Sequence, residues 1–354
     1  MRALLAAMLA ACLATGVTGG LMRAGVDLQP LVSWRWAGAA IANHAFLMVC
    51  AFLGTVVAIE RAVALRRRLA FVAPLLSAGA GLATLAGQPD AGAWLSVLAA
   101  IVFIAANVAI VRRQPAPHTA LLLAGACAWL AGNLLHALGT AAEAAIALWF
   151  AFLILTIAAE RLEMTRLLPR RAGATPSLVC LVAGILAGAA LSAVAPGPAG
   201  ATFGLSIAGL AFWLLRHDIA RRTIATKGLS RFMAASLLLG YLWLAVGGAA
   251  WCATAAGVPL RDVALHALGL GFVFSMIFAH APVILPAVAR VKLLYGAWFW
   301  LPLAVLHGSL LVRFLGARLE PALLAAGAST NAVAIGLFLL TAAGAAVAWR
   351  RRRR

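Results

Sequence analysis

The stretch HALGLGFVFSMIFAHAP, residues 266–282, decides the fold class because it is apolar and contains no charged residue. It is the centre of a segment, 262–287, that is long enough to cross a bilayer as a helix, which takes about 20 residues. The chain has 354 residues, of which 65% are hydrophobic and only 10% are charged. This composition is typical of a multi-pass membrane protein and excludes a soluble globular domain.

Eleven further apolar segments of similar length predict an all-α fold with about twelve transmembrane helices. With 262–287 they are predicted over 3–22, 38–60, 69–87, 91–111, 119–139, 141–160, 176–195, 199–215, 230–255, 293–313 and 321–349. The first segment also fits a secretory signal, and we interpret it as the first span. The loops between the segments are short, so we expect a single transmembrane helical domain over 1–354.

The basic residues predict the orientation of this bundle. With both termini on the inner side, 23 of the 28 Lys and Arg residues fall inside and five fall outside. The positive-inside rule therefore predicts a bacterial-type inner membrane protein with cytoplasmic termini. The run of arginines at 350–354 is interpreted as an anchor to the anionic lipids of the bilayer, because the same bias recurs at the inner loops. We expect the lipid bilayer as a partner and no nucleic acid.

The acidic residues and the cysteines argue against several function classes. All nine Asp and Glu residues lie in loops or within about a turn of a predicted helix end, whereas ion-coupled transporters and proton pumps need carboxylates inside the membrane. Glu60 and Glu160 are interpreted as partners of nearby arginines. The five cysteines form no C-x-x-C pair, which argues against covalently attached haem and iron–sulfur clusters.

Four histidines are predicted to lie at one depth. At about 1.5 Å per residue, each falls within roughly 10 Å of the outer end of its predicted helix. Neutral imidazole is a ligand of haem iron, copper and zinc, and the two axial ligands of a bis-histidine haem come from different helices. A single histidine in a membrane helix can equally be a hydrogen-bonded packing residue, but a shared level favours a cofactor site. The four are His44, His136, His266 and His307.

His280 follows His266 by fourteen residues. On a regular helix the two would share a face but lie about 21 Å apart, which is too far for one metal ion. Pro282 and Pro286 follow closely, and proline leaves a helix carbonyl without its usual donor. We therefore interpret His280 as bonding a carbonyl freed by the kink, with a deeper metal site as the alternative.

Three segments resemble the NnrS family, which comprises membrane proteins that carry haem and copper and are linked to nitric oxide stress. The first, NHAFLMVCAF at 43–52, resembles the family segment H-x-H-E-M-x-x-x-F through its histidine, methionine and phenylalanine. The second begins at His266, and the third is LLVRFLG at 310–316. The matching residues are His44, Met48, Phe52, His266, Gly271, Met276 and Arg313. Phe46 and Leu47 stand where the family has a second His and a Glu, which removes those two candidate ligands.

This resemblance implies that His44 and His266 are axial ligands of haem, b-type, while other side chains form a second metal site or complete the first. Those candidates are His136, His307, His280 and, as soft copper ligands, Met48 and Met276. It also implies electron transfer or the handling of nitric oxide or another small gas near the outer face, with a separate electron-donor protein. Turnover of the gas by a redox enzyme stays open. The alternatives are a copper or haem transporter or assembly factor, and a membrane scaffold without metal.

A more distant likeness is to subunit I of the haem-copper oxidases, which also has twelve helices and holds a low-spin haem through histidines on its second and tenth helices. His44 and His266 lie on the corresponding predicted helices. The oxygen-reducing centre of that family uses a His-His pair and a His-x-x-x-Tyr motif, and neither motif occurs in this chain. Oxygen reduction of that type is therefore not expected.

Overall fold

A computed structural model describes residues 2–29, 34–165, 173–288 and 290–352, except for the side chains of Arg2 and Arg318. Within these ranges the regular structure is helical, and twelve helices have the length and composition needed to cross a membrane. They are α1 Ala3–Arg23, α2 His44–Leu65, α3 Arg68–Leu85, α4 Pro89–Arg113, α5 Pro117–Ala137, α6 Ala142–Met164, α7 Ala174–Leu191, α8 Pro196–His217, α9 Gly228–Ala255, α10 Arg261–Val288, α11 Ala297–Ala317 and α12 Pro321–Arg351. The predicted all-α, twelve-span membrane fold is confirmed.

The helices form two compact units. The first contains residues 1–160 and 189–196, and the second contains residues 161–188 and 197–354. Each unit contains two of the four histidines that the sequence predicts at one depth. The prediction of a single domain over 1–354 stays a prediction.

In the first unit, α1 approaches α2 closely through two glycines one turn apart. A Cβ atom at Gly16 would lie 2.8 Å from Sδ of Met48, and one at Gly20 would lie 2.6 Å from Cε1 of His44. Membrane helices pack closely where small residues recur at a spacing of four, because little side chain then separates the backbones. This face of α1 therefore brings the α1 backbone against the beginning of α2.

The predicted continuous helix over 38–60 is wrong at one point, because it is interrupted at Asn43. A short helix covers Arg35–Ala42, and α2 begins at His44. Asn43 has φ −109° and ψ 23°, and its side-chain Nδ2 donates to the carbonyl of Ala39 at 3.0 Å. An asparagine that bonds its own backbone in this way competes with the regular helical ladder. His44 is consequently the first residue of α2 instead of lying six residues inside it.

In the second unit, three helices pack against α10. Gly271 of α10 is covered by the Trp243 side chain of α9, and the rings of Phe278 on α10 and Phe338 on α12 stack with centroids 3.9 Å apart. The third neighbour is α11, which is joined to α10 by an ion pair between Asp262 and Arg313. Arg313 is the last residue of the span predicted over 293–313, but α11 extends to Ala317 and the Arg313 side chain is buried within the helix.

Candidate haem and metal ligands

Two π-helical segments stand out, one in each unit. Leu47–Gly54 in α2 and Ala267–Phe274 in α10 are each eight residues long and are flanked by α-helix on both sides. His44 precedes the first by three residues and His266 immediately precedes the second. Both histidines begin the same pattern, a His-Ala pair with phenylalanine eight residues after the histidine. π-Helical turns are rare and are found frequently at functional sites. Their position next to His44 and His266 therefore supports these two histidines as candidate functional residues.

The ring of His44 is oriented by α1. Its Nδ1 lies 2.7 Å from the carbonyl oxygen of Gly16, and since a carbonyl only accepts, Nδ1 carries the hydrogen and donates. The lone pair of the neutral ring is then on Nε2. Histidines that ligate a metal through one nitrogen commonly donate from the other to a carbonyl or carboxylate. His44 therefore has the protonation pattern of an Nε2 ligand.

His266 has the same protonation pattern with a stronger acceptor. Its Nδ1 lies 3.0 Å from the backbone carbonyl of Asp262 and 3.1 Å from Oδ1 of the same residue. The Asp262 carboxylate is in turn held by Arg313, whose Nε and Nη2 donate to Oδ2 and Oδ1 at 2.9 and 2.7 Å. A carboxylate behind the imidazole fixes the ring orientation and raises its strength as a ligand. His266 is thus the better supported of the two.

His136 lies next to the beginning of α2 in the first unit. Its ring stacks on Phe46 with centroids 4.9 Å apart and meets Trp149 of α6 edge-on at 5.2 Å. Phe46 is two residues after His44, so the structure brings the region of His136 and His44 together. The observed contacts of His136 are aromatic packing, and its role as a metal ligand stays a prediction.

His307 accepts a hydrogen bond at Nδ1, the ring nitrogen that carries no hydrogen. Trp243 donates from Nε1 to His307 Nδ1 at 2.7 Å, so in the neutral ring the hydrogen is on Nε2. That Nε2 is buried and has no acceptor among the described residues. With Nδ1 occupied and Nε2 protonated, His307 offers no lone pair to a metal in this arrangement. Its predicted metal-ligand role would require the bond from Trp243 to break.

The predicted common depth can be compared within the second unit. The Asp262–Arg313 ion pair sets the register between antiparallel α10 and α11. His266 is four residues from that pair and His307 is six, which correspond to about 6 and about 9 Å along the two helices. The two histidines therefore lie at similar levels in this unit.

His280 belongs to a buried polar cluster that sequence reasoning missed. Its Nε2 lies 3.3 Å from Nη1 of Arg161, and Arg161 also donates to both oxygens of Asp218, at 2.7 and 3.0 Å. Tyr241 donates to Asp218 Oδ2 at 2.9 Å, and the backbone N–H of Ala220 donates to Oδ1 at 2.7 Å. The carboxylate thus receives four hydrogen bonds in a site where its side chain is 1% exposed.

The interpretation that His280 bonds a carbonyl freed by proline is wrong, because the acceptor is a different carbonyl. Its Nδ1 donates to the carbonyl of Met276 at 2.8 Å, whereas the carbonyls four residues before Pro282 and Pro286 are those of Phe278 and Pro282. The shared face predicted for His266 and His280 also fails, because the segment Ala267–Phe274 between them is π-helical. With Nε2 accepting from Arg161, His280 is a member of the polar cluster.

The two methionines predicted as soft ligands fill space next to glycines. Met48 occupies the position where Gly16 lacks a Cβ atom, and the methyl group of Met276 does the same at Gly240. In the described part of the chain, no group of three or more His, Cys, Asp or Glu side chains is placed to hold a metal ion. A copper site built from these residues stays a prediction.

Glu60 and Glu160 share one arginine partner, Arg61. Arg61 donates from Nη2 to Glu60 at 2.8 Å and to Glu160 at 2.9 Å. This confirms the interpretation of both glutamates as partners of a nearby arginine. In the sequence, Arg61 and Arg161 are marked only by the Glu-Arg pair that ends two similar segments, FLGTVVAIER at 52–61 and FLILTIAAER at 152–161. No sequence pattern marks Asp218 or Tyr241.

Comparison with known proteins gives a family but no described relative. No curated protein and no solved structure matches the chain. One family model matches residues 2–347, which is nearly the whole length. The chain therefore belongs to the family described as a domain of unknown function, DUF8744.

Proposed function

We propose that this protein binds haem, of b type, through His44 and His266 in a bacterial-type inner membrane. The observation that carries the proposal is the protonation pattern of the two rings. Each donates from Nδ1, to Gly16 or to Asp262, and so carries the lone pair of the neutral ring on Nε2. Imidazole in this state is the usual protein ligand of haem iron. The resemblance of both segments to the NnrS family adds support.

The chain itself would orient these ligands. Asp262, held by Arg313, fixes the ring of His266, while the carbonyl of Gly16 fixes the ring of His44. Haem bound there would supply one-electron chemistry and affinity for small gases, which makes electron transfer or the handling of nitric oxide the proposed activity. Copper at His136, or at His307 once its bond from Trp243 is broken, and an electron-donor protein belong to the same proposal.

The test is the visible absorption spectrum of the purified full-length protein, with iron and copper measured per chain. We expect a Soret band that is lost or shifted in His44→Ala and in His266→Ala. His217→Ala is the matched control, because His217 lies at the end of α8 with its ring tilted against that of Trp213. The iron content separates one iron shared by two histidines from one iron at each.

Two other results would contradict haem binding and identify the alternatives. Colourless protein that binds copper stoichiometrically favours a copper transporter or assembly factor. Colourless protein that is stable without metal favours a scaffold. The hydrogen bonds of His280 with Arg161 and of His307 with Trp243 are of the kind that a scaffold would have. A Soret band that is unchanged in both alanine variants would place the haem on other residues.

A further inference from the structure

A cleft lies in the second unit where α8 ends and α9 begins. It is a shallow, open cleft of about 630 Å³, and apart from two arginines, Arg216 and Arg221, its lining is apolar. Among the apolar lining residues, Phe212 is 67% exposed and Leu242 is 53% exposed. The positive-inside rule assigns this end of both helices to the inner surface of the membrane. The cleft therefore opens where lipid headgroups and the first part of their acyl chains lie.

Among the described residues, no carboxylate neutralises the two arginines of this cleft. Asp218 is the one acidic residue in the turn between them, and its carboxylate is taken by Arg161, Tyr241 and the backbone of Ala220. Within the described ranges, neither Arg216 nor Arg221 makes an ion pair with a carboxylate. The cleft therefore combines two guanidinium groups with an apolar wall, which suits an anion that has an apolar part.

We propose that this cleft binds one anionic phospholipid of the inner leaflet. Guanidinium groups form paired hydrogen bonds with phosphate oxygens, so the headgroup phosphate is placed at Arg216 and Arg221. An acyl chain would follow the exposed apolar surface of Phe212 and Leu242. Basic pockets between transmembrane helices on the cytoplasmic side are known to bind anionic headgroups, and charge complementarity selects such a lipid over a zwitterionic one.

The neighbouring basic residues provide a matched control. Arg222 and Arg231 are exposed in the same region but do not line the cleft. They add to the general positive charge of this surface, but they are outside the lining that would contact a lipid held in the cleft. A pair of substitutions there removes the same charge without touching the proposed site.

The experiment measures lipid retained by the full-length protein in detergent, by native mass spectrometry, after addition of phosphatidylglycerol, phosphatidylcholine or inorganic phosphate. We expect one phosphatidylglycerol to be retained by the wild type, with about thirtyfold weaker binding in Arg216→Gln/Arg221→Gln. Arg222→Gln/Arg231→Gln should bind as the wild type does. Circular dichroism checks that each variant is folded.

A second variant tests the apolar part of the site. Leu242→Trp fills the cleft and keeps both arginines, and it should also lose the bound phosphatidylglycerol. Equal losses in the two double variants, or equal retention of phosphatidylcholine, would overturn the proposal. Competition by inorganic phosphate at the same concentration as the lipid would show a simple anion site and would overturn it as well. If the double glutamine variant does not fold, Arg216→Lys/Arg221→Lys replaces it, with weakened binding expected and unchanged binding contradicting the site.

Discussion

Arg313 holds both carboxylate oxygens of Asp262, at 2.9 Å from Nε and 2.7 Å from Nη2. The two residues lie 51 positions apart on antiparallel helices, so the pair joins α10 to α11. One turn further along α10, the same carboxylate accepts from His266. The ion pair therefore has two consequences, since it sets the register of two helices and orients the best supported ligand candidate.

Asp262→Asn should weaken haem binding, and since it also removes the counter-charge of the buried Arg313, circular dichroism checks that the helices remain folded. The amide oxygen can still accept a hydrogen bond from His266, but the negative charge that strengthens the imidazole as a ligand is lost. Substitutions of such supporting groups typically cost 10- to 100-fold in metal affinity, so about that loss is expected. Haem titration followed by the Soret band measures it. Asp27→Asn, an exposed acid before α2, is the control, and equal affinities in the two variants would contradict the orienting role.

Gly20→Ala should push His44 away from α1. The new Cβ atom would lie 2.6 Å from Cε1 of the imidazole, so the two helices must separate or the ring must turn. Overpacking of this kind costs about 1–3 kcal/mol, and we expect a lower unfolding midpoint together with a changed or missing Soret band. Gly79→Ala is the matched control because a Cβ atom there meets nothing within 4 Å. The same spectrum in both variants would show that the position of His44 does not matter.

Asp218→Asn should destabilise the second unit more than any surface substitution. It leaves the guanidinium of Arg161, in a side chain that is 4% exposed, without its counter-charge. Breaking one partner of a buried ion pair costs about 3–5 kcal/mol. Tyr241→Phe removes only one of the four hydrogen bonds to Asp218 and should cost less. Thermal unfolding in detergent measures both, with the exposed Asp90 mutated to Asn as the control, and equal midpoints for Asp218→Asn and Asp90→Asn would refute this account.

Trp243→Phe should loosen His307 by removing the indole donor. The loss of one hydrogen bond, which joins α9 to α11, corresponds to about 0.5–1.5 kcal/mol. It also frees Nδ1 of His307, so copper affinity should rise if His307 is a metal ligand. Trp298→Phe is the control because Trp298 is 50% exposed. The two measurements are the unfolding midpoint and copper binding by titration, and an unfolding midpoint equal to that of Trp298→Phe would contradict the structural role of the bond.

The number and type of helices could be predicted because the length of each apolar segment can be counted in the sequence. The interruption at Asn43 could not, since it depends on a side chain that bonds to Ala39 instead of on hydropathy. The candidate ligands His44 and His266 could be selected by depth and resemblance. Their orientation could not, because it depends on a carbonyl of another helix and on Asp262.

Buried charge was the least predictable feature. Arg161, Arg61 and Arg313 look like ordinary loop arginines in the sequence, because each stands near the end of an apolar run. In the structure each is at most 7% exposed and paired with acids. The pairing partner of Arg161 is 57 residues away and that of Arg313 is 51 residues away. Only the packing of the helices reveals such pairs.

The π-helical segments make the direction of each histidine depend on chain length. A π-helical turn closes its hydrogen bond over one more residue than an α-helical turn. Deleting a single residue from Leu47–Gly54 or from Ala267–Phe274 would let the segment return to α-helix. Each residue of an α-helix turns the chain by about 100°, so the histidine before the deletion would swing to another face of its helix. One deleted residue would thus separate His44 from Gly16, or turn His266 relative to the part of α10 that follows the deletion, with every side chain at the site still present.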